Sequence, residues 1–186
     1  MDAIGSFIIR PLNDKLYNNE RTVKGSKYLV DTSIDSHENT NRFATVISTP
    51  AGYIGEVMKE DVVIVHHNVF RKVNDIRGKE MYSTGLLKDD YYLADDLEVY
   101  AYKRAGVWSA ISPYIFIEPI LSDNKTYDTS NEQVQYGVVV MDNKELNGMS
   151  VIKGDTICFQ PDSEYKFTVD GVKLYRMKTE SICLKV

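Results

Sequence analysis

The stretch "KGDTICFQPDSEYKFTVDGVKLYRMKTESICLKV", Lys153 to Val186, is a run of short β-branched and aromatic segments. Gly-Asp, Pro-Asp and Asp-Gly separate them, and no helical spacing appears. An earlier stretch, "KEDVVIVHHNVFRKVNDIRGKEM" from Lys59 to Met81, opens with the same grammar. Working outward, "FIIRPL" (Phe7–Leu12) matches "YIFIEPI" (Tyr114–Ile120), each an apolar strand, one charged residue, then Pro. Four pairings follow in order: Ile9 with Ile117, Asp61 with Asp155, Gly78 with Gly171, and Leu97 with Ile182, at offsets of 108, 94, 93 and 85. Order is kept and the offset only shrinks, which is the mark of an internal duplication. The first copy then carries 14 extra residues before "KED" and 8 more before its last strand.

Similar short runs recur elsewhere ("RFATVIS", "YYLADDLEVYAY", "VQYGVVVM"), and helical periodicity is confined to a weak segment, Leu86–Asp90. An all-β chain is expected, with regularly punctuated strands forming a sandwich or barrel. "DVVIV" is apolar at every position after Asp61 and reads as a strand covered on both faces or lying at a subunit contact. Pro11 and Pro119 are expected to end their strands at the same place. "KRAGVWSAISP" marks the boundary, giving domains 1–103 and 113–186 with a linker over 104–112. Trp108 lies in it, read either as a plug between the domains or as an exposed contact residue.

The chain has 186 residues, 43% apolar and 26% charged, within the range of soluble globular proteins. No run is long enough to span a bilayer, and the first residues show no secretory signal, so a cytoplasmic protein without a membrane partner is expected. A net charge of −5 argues against nucleic acid. Cys158 and Cys183 are read as buried free thiols. His66 and His67 would point to opposite faces of a strand, and no Cys/His spacing suits zinc, so no metal is expected. No nucleophile elbow, P-loop or dinucleotide fingerprint is present, so neither catalytic residues nor a cofactor is expected. Thirteen tyrosines suit both β structure and contact surfaces.

"FIIRPLNDKL" resembles the opening strand of GroES-type co-chaperonins, an apolar strand running into Arg10, Pro11, Leu12, a polar pair and Lys15. "VIKGDTICF", "FTVDGVKLYRM" and "TESICLKV" resemble the second half of the same family, in the same order. The layout is similar to the double-domain co-chaperonins of chloroplasts, and a phage-encoded relative is equally compatible. The resemblance implies two tandem GroES-like small β-barrels whose unpaired edges meet neighbouring copies in a homo-oligomeric ring. It also implies a chaperonin partner, docked by a long polar loop with an apolar tip. The matching segment is Tyr17–Arg42, and its apolar triplet is Tyr28, Leu29 and Val30, preceded by Gly25 and Ser26. The other reading of the triplet is an ordinary short strand. The insertion 81–91, "MYSTGLLKDDY", offers Leu86 and Leu87 as a second candidate contact. A rival functional reading is a structural ring or adaptor of a phage virion (connector, tail or capsid-associated) that reuses the fold.

Overall fold

The computed structural model of the chain describes residues 2–18, 20–23, 26–29, 39–122 and 132–186. Two compact units divide it, Met1–Ala105 and Gly106–Val186. In chain order the strands are β1 (Phe7–Pro11), β2 (Glu20–Val23), β3 (Ser26–Leu29), β4 (Phe43–Ser48), β5 (Val62–Val65), β6 (Val73–Asn74), β7 (Glu80–Met81), β8 (Tyr92–Ala94), β9 (Val99–Arg104) and β10 (Val107–Ala110). They continue as β11 (Tyr114–Leu121), β12 (Glu132–Met141), β13 (Thr156–Phe159), β14 (Tyr165–Val169), β15 (Val172–Lys178) and β16 (Ile182–Lys185), with one helix, α1 (Lys144–Gly148). The protein is all-β in character, with two six-stranded antiparallel sheets in the orders β10-β9-β5-β4-β1-β8 and β14-β15-β11-β12-β13-β16.

Read in opposite directions, the sheets share a five-strand order: β8-β1-β4-β5-β9 in one and β15-β11-β12-β13-β16 in the other. The likeness extends to registers. Ile9 pairs with Val46 after an irregularity at Ile8/Ile9, and Ile117 pairs with Val139 after one at Phe116/Ile117. The third and fifth strands slip at equivalent places too, Ile64/Val65 and Cys158/Phe159. Tyr92 and Tyr175 occupy one position, opposite Ile9 and Ile117.

The turn before the third strand is the same object in both units. Asp61 Oδ2 accepts from the Met58 backbone N–H at 2.7 Å, and Asp155 Oδ2 from that of Ile152 at 2.8 Å. The backbone there turns through a left-handed residue, Glu60 (φ 74°) in one copy and Gly154 (φ 94°) in the other. Glycine is at ease in that region, and a glutamate carries strain. The preceding Val57 and Val151 are buried, whereas Met58 and Ile152 are exposed.

Each unit has its own core. In the first, Phe7, Ile9, Val46, Val63, Ile64, Val65, Phe70 and Tyr92 are buried. β5 is buried at all but Val62, as its unbroken apolar run demands. In the second, Ile115, Ile117, Val139, Leu146, Val151, Ile157, Phe159 and Met177 pack together. Burying a side chain of this kind is worth about 1.5–3 kcal/mol.

Several expectations are corrected. Neither sheet closes into a barrel: among the described residues no ladder joins β8 to β10 or β14 to β16. Local chain occupies the sides that closure would use, since β14 flanks β15 and Gly85–Leu87 flanks β8. The last strands align as Val99 with Ile182, not Leu97 with Ile182, because a tight 3-10 turn (Asp96–Glu98 or Thr179–Ser181) precedes each. Pro119 does not end its strand, which runs on to Leu121 with a slip after the proline. The 104–112 segment carries the end of β9 and all of β10, so it is strand and turn. Leu86–Asp90 forms no helix. The helix lies at Lys144–Gly148, where the buried Asn143 caps it by accepting from the Leu146 N–H at 2.7 Å. Cys158 is half-buried and Cys183 exposed.

Candidate docking site

The unit built on β1 differs most from its counterpart just after the first strand. β1 ends at Pro11, and a 3-10 turn follows in which Asn13 (φ 59°) and Asp14 (φ 56°) adopt left-handed backbone. Asn and Asp bear that conformation better than most residues. The chain is thereby sent away from the sheet. Its two limbs then pair: Asn41 N–H donates to the Leu16 carbonyl at 2.8 Å, Tyr17 bridges Thr40, and Asn18 N–H donates to the Asn39 carbonyl at 2.8 Å. Beyond this stem lies the β2–β3 hairpin, with Glu20 opposite Leu29, Arg21 opposite Tyr28 and Val23 opposite Ser26. The polar loop expected over Tyr17–Arg42 is thus an antiparallel ribbon in its described part. Tyr28 and Leu29 lie on β3, and Val30 lies outside the described residues.

The insertion folds back beside this ribbon's root. Leu86 bridges Tyr92, Leu93 N–H donates to the Gly85 carbonyl, and Leu87 N–H donates to the Tyr91 carbonyl, the last two at 2.8 Å. A Cβ on Gly85 would meet the Leu93 carbonyl oxygen at 2.8 Å, so only glycine permits the approach. Leu86 is half-buried, whereas Leu87 is 43% exposed beside Met81 and Tyr82, which are about half exposed. Of the two leucines nominated from sequence, Leu87 is the one presented to solvent.

Four residues not nominated from sequence join the two elements. Tyr17, on the stem, accepts the Lys72 backbone N–H on its hydroxyl at 2.7 Å. The Lys72 ammonium lies 4.6 Å from the centre of the Tyr82 ring. Tyr92 is buried at the centre, packed edge-on against Phe70 at 4.9 Å. Its hydroxyl has no hydrogen-bond partner among the described residues. Burial first, then the negative charge of Asp90, push its pKa up to about 12 against the opposing pull of Lys72. The equivalent Tyr175 donates to Glu132 Oε2 at 2.8 Å, and Glu132 also holds Lys173 at 2.6 Å. The abundance of tyrosine was the available sequence signal. Which tyrosines converge depends on the register of β8 against β1.

Among the described residues no group of three His, Cys, Asp or Glu side chains could hold a metal ion. His66 and His67 do not straddle a strand. β5 ends at Val65, His66 caps the following turn by accepting the Asn68 N–H on Nδ1, and the two rings stack at 4.2 Å. Trp108 is half-buried and donates from Nε1 to Asp170 at 2.9 Å. No protein-family model matches the chain, and no curated protein matches it at a significant level.

Proposed function

We propose that this chain is a co-chaperonin-like ring subunit that works by contact and carries out no reaction. Its two units are read as two copies of one GroES-like module, each an incompletely closed barrel. Copies of the chain assemble side by side, and the ribbon of the first unit docks on a chaperonin in the cytoplasm through Tyr28, Leu29 and Val30, with Leu86 and Leu87 as a second contact.

The observation that carries this reading is the asymmetry between copies that otherwise share strand order, slips and turn. One copy extends an arm directly after its "FIIRPL" strand, paired in its described part within Tyr17–Arg42. The other simply prolongs its strands, with Leu121 facing Glu132. A duplicated scaffold with one elaborated arm is what a tethered contact protein needs. The weak edge is also present: Leu184 on β16 and Val186 just beyond it are half or more exposed, and Lys185 is engaged with Asp155 at 2.6 Å. A ring of such arms multiplies a modest single-arm affinity by about 10²–10⁴.

Capture of a purified chaperonin by the immobilised chain, with and without nucleotide, tests this, together with native mass spectrometry of the free protein. Capture that is lost when Tyr28, Leu29 and Val30 are all changed to Ser supports it. A monomer that captures nothing, or capture indifferent to the triple change, removes it. Co-purification with virion proteins in place of chaperonin capture would select the structural ring or adaptor role.

A further inference from the structure

We infer that a buried side chain, Asn41, staples the root of the arm and sets the angle at which its two limbs leave the sheet. Its residue is 3% exposed. Its Nδ2 donates to the Lys15 carbonyl at 2.6 Å and to the Leu12 carbonyl at 3.3 Å, both on the outgoing limb. Its Oδ1 accepts the Phe43 N–H at 3.0 Å, on the returning limb where β4 begins. One amide therefore ties the turn that leaves β1 to the strand that receives the chain back. Asparagine alone among small side chains offers both two donors and an acceptor in so short a reach. Aspartate would lose the donors, and alanine would remove the bonds to both carbonyls and to the Phe43 N–H.

The second unit shows that this is a device of the arm and not of the sheet. The offset of 93 that holds along the second strands carries Asn41 onto Val134, and Val134 is 76% exposed. There β11 runs on to Leu121 with a slip after Pro119, and among the described residues no left-handed pair follows it. Tyr17 adds a second tie at the root, its hydroxyl accepting the Lys72 backbone N–H. A preset departure angle lowers the ordering cost when the arm meets a partner, so Asn41 acts as a positioning residue for docking. The arm's use in docking rests on the proposed function, while the staple itself does not.

Hydrogen exchange read by mass spectrometry on the full chain decides it, using wild type, Asn41→Ala and Asn41→Ser. The serine variant keeps an acceptor for Phe43 and has one short hydroxyl donor in place of the amide's two, so it serves if the alanine variant fails to fold. Amides over 16–18, 20–23 and 26–29 are expected to exchange about tenfold faster while β5 and β9 keep their rates. Unchanged arm exchange, or an equal acceleration through the whole sheet, overturns the staple. In the capture assay Asn41→Ser is expected to weaken binding several-fold, and full capture with a loosened arm overturns its part in docking. If wild type captures no chaperonin, the proposed function falls, and exchange still judges the staple.

Discussion

Asp61 and Asp155 hold the same post in two copies of one turn, each accepting a backbone N–H three residues back and a cation from the end of its unit's fifth strand. Arg104 reaches Asp61 with Nε at 2.9 Å and Nη2 at 2.6 Å, and Lys185 reaches Asp155 at 2.6 Å. The surroundings differ. The Asp61 side chain is 5% exposed and that of Asp155 21%. Asp61→Ala is therefore expected to destabilise its unit by about 2 kcal/mol, discounted for the half-exposed arginine. Asp155→Ala should cost distinctly less. Exchange-derived stabilities of β5 and β13 amides check the order, and equal losses would contradict it.

The second unit should lose stability in acid. Burial works to raise the Glu132 pKa, but the bonds from Lys173 and Tyr175 outweigh it and hold the group below the ordinary value of 4.5. The Lys185 bond, then the Ile152 N–H, hold Asp155 below its ordinary 3.8. A lowered carboxylate pKa contributes stability above the ordinary value that is lost as pH falls through the folded one. Trp108, the single tryptophan, lies in this unit and reports its unfolding by fluorescence. Its denaturation midpoint should fall below pH 4.5, and Glu132→Gln should flatten that dependence.

Tyr92 predicts the opposite behaviour in the first unit. Its pKa is raised from 10.0 to about 12, so its protonated form is favoured by folding. That contribution is complete below pH 10 and is lost as pH climbs towards 12. Because the buried hydroxyl has no partner among the described residues, Tyr92→Phe should leave stability within about 0.5 kcal/mol of wild type, or raise it. Ultraviolet titration should show one late-ionising phenol fewer in the variant. A loss above about 2 kcal/mol would mean that the hydroxyl is bonded after all.

Gly137 and Ala44 stand at one position in the two units, opposite Pro119 and Pro11. A Cβ on Gly137 would lie 2.4 Å from Ile117 Cδ1 and 3.0 Å from the Glu118 carbonyl oxygen. Ile117 is fully buried and cannot swing away. Gly137→Ala should cost about 1–3 kcal/mol by overpacking, measurable by chemical denaturation followed at Trp108. Ala44→Gly should cost roughly 1 kcal/mol in the other unit, through chain entropy and a lost methyl contact.

The likeness of the two sheets could be read from the sequence because its markers are local. The Asp before an apolar strand, the glycine in a hairpin and the proline late in a strand each act through their own backbone. The pairing of the last strands was misjudged by two residues because apolar residues recur on both sides of the 3-10 turn. Leu97 resembles Ile182 in type, yet it is 71% exposed on the turn, while Val99 holds the core position. In register, the extra length before β8 is ten residues, since Gly78 and Gly171 are 93 apart and Tyr92 and Tyr175 are 83 apart. The arm accounts for fifteen, with one residue recovered between the second and third strands, as the offsets 108, 93 and 94 show. The convergence of Tyr17, Lys72, Tyr82 and Tyr92 was beyond reach, because it depends on which insertion folds over which edge.

The shared slips at Ile8/Ile9 and Phe116/Ile117 give the chain an experimental convenience. Each half carries the other's framework, so either can act as an internal reference under identical solvent, temperature and dose of denaturant. Whatever response survives subtraction of one half from the other belongs to what evolution has hung on the scaffold.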